Sequence, residues 1–331
     1  MRYSAIWLRH ALGALAIAAA SPAIADPPSD PAALAEPETG PIDVVDFATD
    51  ASDRMTVAVN IAGKGPYPFL IDTGSQRTVI SRELAARLRL GSGPTAEIHS
   101  ISGRTFVQTV IIPSLEINAR SVKDIRAPAL ATSDIGAAGI LGIDSLQSQR
   151  ILLDFKAATM TVRPSTEQTE KWDGETIVVK AKSRFGQLVL ADASADGAKV
   201  WVIVDTGAQV SIGNEALRRK LFGRKSRRES HPIQILSVTG GTTPADYTTL
   251  EAIRLGGMTI NNLPVAFADA HPFRKLGLTK RPALLLGMDA LRLFDRVSVD
   301  FANRKVRFMS GGGASRTLER QTAAAETGPR L

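Results

Sequence analysis

Short apolar runs rich in Val, Ile, Leu, Phe and Thr recur along the chain, at residues 55–61, 68–71, 107–112, 151–155, 199–204 and 296–301. Gly, Pro and Asp interrupt them, so the pattern predicts an all-β fold with few short helices. Helical periodicity is scarce, and residues 81–90 and 214–221 carry the best of it. Residues 26–52 are rich in Pro, Ala, Asp and Glu and predict a flexible spacer, while residues 311–331 predict a disordered tail.

The pattern occurs twice. Phe69-Leu70-Ile71-Asp72-Thr73-Gly74-Ser75 in the first half is matched by Val202-Ile203-Val204-Asp205-Thr206-Gly207-Ala208 in the second. A β-branched stretch and a short helix follow each copy. Further on come Ile140-Leu141-Gly142 and Leu285-Leu286-Gly287, then the closing runs at 150–155 and 296–301. Asp72 precedes Gly142 by 70 residues and Asp205 precedes Gly287 by 82, so the second copy carries an insertion. The chain therefore reads as a tandem duplication: lobe one over 53–165, a linker over 166–174, and lobe two over 175–310.

An aspartate between a buried apolar strand and Thr-Gly is a costly choice for structure alone. Gly74 and Gly207 permit a tight turn whose backbone N–H groups can orient the carboxylate. Thr73 and Thr206 offer hydroxyls that can tie one loop to the other. Two such carboxylates close together cannot both ionise and would share one proton. One would then activate a water as general base while its partner protonates a carbonyl oxygen. Neither a metal nor an organic cofactor is required.

The paired Asp-Thr-Gly-Ser and Asp-Thr-Gly-Ala loops, each with a downstream apolar-apolar-Gly, resemble the aspartic peptidases of the pepsin and retropepsin type, in a form with two tandem retropepsin-like lobes in one chain. The resemblance covers residues 53–310 and implies two β-barrel lobes with an active-site cleft between them. By it, Asp72 and Asp205 match the catalytic aspartates, and Gly142 and Gly287 match the strand that backs each loop. It also implies flaps over the cleft, with tips expected around Gly103 and around Gly240 and Gly241. A flap tyrosine is absent near the first tip, and Tyr247 is the nearest one to the second. The implied activity is that of an aspartic-type endopeptidase on an extended peptide or protein substrate. A second reading is a peptide-binding or envelope-associated module that keeps the fold and cuts nothing. The short linker favours lobes paired within one chain, hence a monomer.

Finer expectations follow. The Ser75 hydroxyl can reach the dyad where Ala208 cannot, which predicts activity from mildly acidic towards neutral pH. Asp144 and Asp289 are expected to cap short helices, and Asp154 and Asp300 to be structural. Loops at 124–135 and 269–281 are expected to shape the subsites.

Composition narrows the setting. Basic Arg2 and Arg9, the apolar run 11–20 and Ala23-Ile24-Ala25 read as a secretory leader, bacterial in style and cleaved after Ala25. That predicts export to the periplasm or cell envelope. The chain has no cysteine, which excludes disulfides and thiolate metal sites. Its four histidines show no ligand spacing, so no metal site is expected. The formal charge is +7, and seven of the eleven residues from Arg218 to Arg228 are basic. That stretch reads as a solvated loop or a weak contact for an anionic surface. Nucleic acid is not an expected partner, since an exported protein rarely meets it.

Overall fold

A computed structural model describes residues 43–49, 55–117, 120–145, 149–172, 174–184, 187–223, 230–310 and 315–317. The leader-like residues 1–25 and the basic stretch 224–228 lie outside the described residues. Among the described residues strands dominate, and the longest helix, Glu215–Phe222, has eight residues.

Each lobe is built around one strand that lies between the two arms of a loop. In lobe one, Lys64–Ile71 runs parallel to Gly139–Leu141, with Ile71 opposite Leu141. The chain then turns through residues 72–78 and returns as Val79–Ser81, antiparallel to the other edge of Gly139–Leu141. Lobe two repeats the arrangement. Trp201–Val204 is parallel to Ala283–Leu286, and Ile212–Gly213 closes the other edge. Burial on both faces explains the unbroken apolar runs, since Phe69, Ile71, Val202 and Ile203 are all 1% exposed or less. Ser81 and Asn214 end the second arms and cap the helices Arg82–Arg87 and Glu215–Phe222 through Leu84 N–H and Leu217 N–H.

Gly142 and Gly287 end the central strands where these pass under the loops. A Cβ on Gly287 would lie 2.9 Å from the Ala208 carbonyl oxygen, and one on Gly142 would overlap the Arg77 peptide. Only glycine allows that approach.

The lobes join through a six-stranded antiparallel sheet with a local twofold relationship. Its order is Asp43–Thr49, Thr159–Pro164, Gln149–Asp154, Arg296–Asp300, Lys305–Ser310, Glu175–Arg184. Ile151, Leu152 and Leu153 face Val299, Ser298 and Val297 at its centre. Asp154 receives the Arg296 Nε at 2.5 Å across this seam, and Asp300 accepts from Asn303, so both acids have structural partners.

Two segments are ordered where a spacer and a tail are expected. Asp43–Thr49 is the outer strand of the seam sheet and then pairs with Met55–Ile61, as Glu175–Arg184 does in lobe two with Gln187–Leu190. The first repeat thus begins before residue 53. Ser315–Thr317 adds a short parallel edge to Met258–Phe267. In the linker, the carbonyls of Glu167 and Gln168 accept from Arg150.

Two hairpins project over the lobes. Ala96–Ser100 pairs with Gly103–Val107, so Ile101 and Ser102 form the first tip and Gly103 opens the return strand. His231–Leu236 pairs with Thr242–Leu255, which places Gly240 and Gly241 within the second tip. Tyr247 lies opposite His231 at the base of that hairpin rather than at its tip.

Candidate active site

The two Asp-Thr-Gly loops meet at the junction of the lobes. Gly74 N–H and Ser75 N–H donate to Asp72 Oδ1 at 2.8 and 2.9 Å. Gly207 N–H donates to Asp205 Oδ1 at 3.0 Å, and the Ala208 N–H also points at that carboxyl. Each carboxyl also lies against the glycine of the opposite loop. A Cβ on Gly74 would come within 2.7 Å of the Asp205 carboxyl, and one on Gly207 would overlap that of Asp72. The absent side chains are what let the two acids approach each other.

The threonines lock this approach from beneath. Thr73 N–H donates to Thr206 Oγ1 at 3.0 Å, and Thr206 N–H donates to Thr73 Oγ1 at 3.1 Å. Their hydroxyls donate onward to the Val204 and Ile71 carbonyls at 3.1 and 2.9 Å. Both residues are buried, and these hydrogen bonds satisfy the N–H and hydroxyl of each.

Family models agree with this duplicated geometry. Residues 57–148 match the family described as "gag-polyprotein putative aspartyl protease", and residues 191–290 match "Aspartyl protease". The chain belongs to the retropepsin-like aspartic peptidases, with two lobes in tandem. No curated protein matches the chain.

In this tandem peptidase the Asp205 carboxyl is held well above the usual carboxylate range. Removal from water contributes most, and the adjacent Asp72 charge adds to it. The pair lies on the floor of a cleft of about 760 Å³ whose roof is the two hairpins. Val79, Ile98, Leu130 and Ile140 supply apolar wall from lobe one, and Ile212, Ile233, Ile235 and Leu285 supply it from lobe two. Each tip crosses the midline: Ile101 packs into the lobe-two cluster and Val238 into the lobe-one cluster. Their polar edges also touch, with Thr239 Oγ1 at 3.0 Å from Ser100 Oγ and 3.3 Å from Ser102 Oγ. The segments expected as loops at 124–135 and 269–281 carry the end of strand Arg120–Leu130 with helix Thr132–Ile135, and helix His271–Lys275. They reach the cleft through Leu130, Asp134, Lys275 and Leu276, among others.

Three expectations need correcting or extending. The Ser75 hydroxyl donates to the Arg77 carbonyl at 2.8 Å, so only the backbone of Ser75 serves Asp72. Asp144 and Asp289 lie within their short helices, 143–145 and 288–291, rather than at the caps; Gly287 is the N-cap of the second. Asp144 accepts from Thr78 N–H and Oγ1, and Asp289 accepts from Ser211 N–H and Oγ, fastening the second arm of each loop. His99 and His271, unrelated in spacing, stack at 5.0 Å with Nδ1 and Nε2 at 2.7 Å. Sequence reading also missed Gln187, whose amide donates to the Gly74 carbonyl across the lobe boundary. The basic stretch begins with Arg218, which bridges Asp246 at 2.9 Å and Glu215 at 3.8 Å. Among the described residues, no cluster of three or more His, Asp or Glu side chains could hold a metal ion.

Proposed function

We propose that the chain is an endopeptidase in which Asp72 and Asp205 together activate a water molecule against an extended peptide. The observation that carries this reading is the approach of two backbone-held carboxyls, one of them strongly biased to keep its proton. Asp205 holds the shared proton, because its burial and the adjacent Asp72 charge both favour its neutral form, and Asp72 carries the charge of the pair. Asp72 removes a proton from water as its oxygen attacks the scissile carbonyl carbon, and Asp205 protonates the carbonyl oxygen. The resulting gem-diol collapses as Asp72 passes its proton to the amide nitrogen and Asp205 recovers one from a hydroxyl. The C–N bond breaks, giving an acid and an amine, and the dyad returns to its starting protonation. The apolar walls suit apolar side chains around the scissile bond, and the two hairpins offer backbone edges to a strand-like ligand.

The test is digestion of an unfolded protein by the mature chain from acidic to neutral pH, with products read by mass. Asp72→Asn and Asp205→Asn should each abolish cleavage. Cleavage that survives either substitution removes the dyad from the reaction. No cleavage by a folded wild-type chain would reassign it as a peptide-binding module. Export to the periplasm or envelope is part of the same proposal and rests on the leader-like residues 1–25.

A further inference from the structure

The local twofold relationship makes unequal residues at equivalent positions informative. Arg77 and Val210 each stand five residues after their aspartate, and both line the cleft. Lys275 and Asp134 are also equivalent. Each lies on a short helix two residues before a left-handed glycine, Gly277 (φ 67°) or Gly136 (φ 76°). Both of these also line the cleft.

The exchanged residues fall on one side. Lys275 of lobe two donates from Nζ to Gln76 Oε1 of lobe one at 2.7 Å, which places it beside Arg77. The Arg77 charge lowers the Lys275 pKa further below its ordinary value, after burial. The Arg77 side chain is exposed to the cleft and forms no ion pair with a described residue. Glu97 is the acid facing this group from the first hairpin, and it already bridges Arg104 at 3.3 Å. His99, His271 and Arg274 stand close by, and Arg274 is paired with Asp269. The other end carries Val210 and Asp134 at the equivalent places. The cleft is thus basic at one end and neutral to acidic at the other.

We propose that Arg77 and Lys275 form a subsite for an acidic side chain, so that this peptidase selects substrates with Glu or Asp on one side of the scissile bond. The inference rests on the peptidase reading above and adds direction to it. The two loops alone are near-symmetric and give a peptide little reason to bind one way round. A carboxylate at the Arg77 end gains two cations whose facing acid, Glu97, is already bridged to Arg104, while at the Asp134 end it meets a like charge.

A peptide series that differs only by Glu, Gln or Lys, scanned through the positions flanking an apolar scissile pair, tests it. At one position on one side, Glu should exceed Gln in kcat/KM by about five- to tenfold, with Lys below both. Raised salt should shrink that ratio. The Glu-to-Gln ratio, measured within each variant and so independent of its folded fraction, should fall towards one in Arg77→Val and Lys275→Met. It should invert in Arg77→Glu. A ratio near one at every position in the wild type overturns the subsite. Equilibrium binding of the same peptides separates this failure from failure of the activity. Glu-selective binding without cleavage would keep the subsite and reject the peptidase reading. Equal Kd for Glu and Gln peptides would reject the subsite even in an active enzyme.

Discussion

Thr73 and Thr206 exchange hydrogen bonds across the lobe boundary, each offering its N–H to the other's hydroxyl at 3.0 and 3.1 Å. Each threonine is thereby both donor and acceptor, and the position of one carboxylate is set by the backbone of the other. Misplacing either loop would therefore disturb both acids at once.

Thr206→Val keeps the shape and removes one hydroxyl. It leaves the Thr73 N–H and the Ile71 carbonyl buried without that partner. Two such groups should cost roughly 2–4 kcal/mol. Urea denaturation should show that loss, and activity should fall with it because the aspartates no longer meet in register. A variant as stable as the wild type would mean that the threonine exchange adds nothing to the seam sheet and the other contacts between the lobes.

The raised Asp205 pKa makes a stability prediction that needs no substrate. In the unfolded chain this aspartate ionises near pH 4, while in the fold it keeps its proton to higher pH. The fold therefore binds an extra proton between those two values. The associated stability is fully present below about pH 4 and is lost as pH rises through the folded pKa. Asp205→Asn removes the charge and the loss together. Its Tm should exceed that of the wild type at pH 7, and the gap should narrow at pH 4. An equal offset at both pH values would mean that Asp205 titrates normally.

Much of this site was legible because it is written in short strings. Each Asp-Thr-Gly loop is contiguous, and the apolar residues before it are buried on both faces, so local pattern and tertiary setting agree. Gly142 and Gly287 could be found by their repeated context alone. What stayed hidden depends on residues brought together by the fold. Gln76 meets Lys275 across 199 positions and His99 meets His271 across 172, and no local spacing marks either pair. Asp144 looked like a local cap, yet its carboxylate reaches back 66 residues to Thr78. The outer strand Asp43–Thr49 was obscured by its acids and by the Pro-rich residues before it. Its place is set by pairing with Thr159–Pro164 rather than by its own composition.

Ser75 provides a test of how the dyad is tuned. Its hydroxyl is directed at the Arg77 carbonyl, while its N–H serves Asp72. Ser75→Ala removes the first contact and keeps the second. The acidic limb of kcat/KM should therefore stay in place, and Ala208→Ser should leave it equally unmoved. A downward shift with Ala208→Ser would show that a hydroxyl at this position can reach the carboxyl pair.

The contact between His99 and His271 should make hairpin closure depend on pH. His99 lies on the first hairpin and His271 opens a lobe-two helix, and His271 N–H also donates to the Ile101 carbonyl at the tip. With ring nitrogens 2.7 Å apart, one must donate and the other accept, so at least one ring is neutral. Burial lowers both pKa values, and nearby cations add to it: Lys275 and Arg104 at both rings, with Arg274 at His271. Glu97 opposes this at His99. An opened hairpin frees the imidazoles to titrate near pH 6.5, above their closed-state values. Closure is therefore fully favoured above that pH and weakens as pH falls through the lowered values. Amide hydrogen exchange over residues 96–107, corrected for intrinsic rates, should show more frequent opening at pH 5 than at pH 7. His271→Gln can keep a neutral hydrogen bond without gaining charge, and it should flatten that dependence. An unchanged pH dependence in His271→Gln would place the sensor elsewhere, with Glu97 and its Arg104 bridge the next group to substitute.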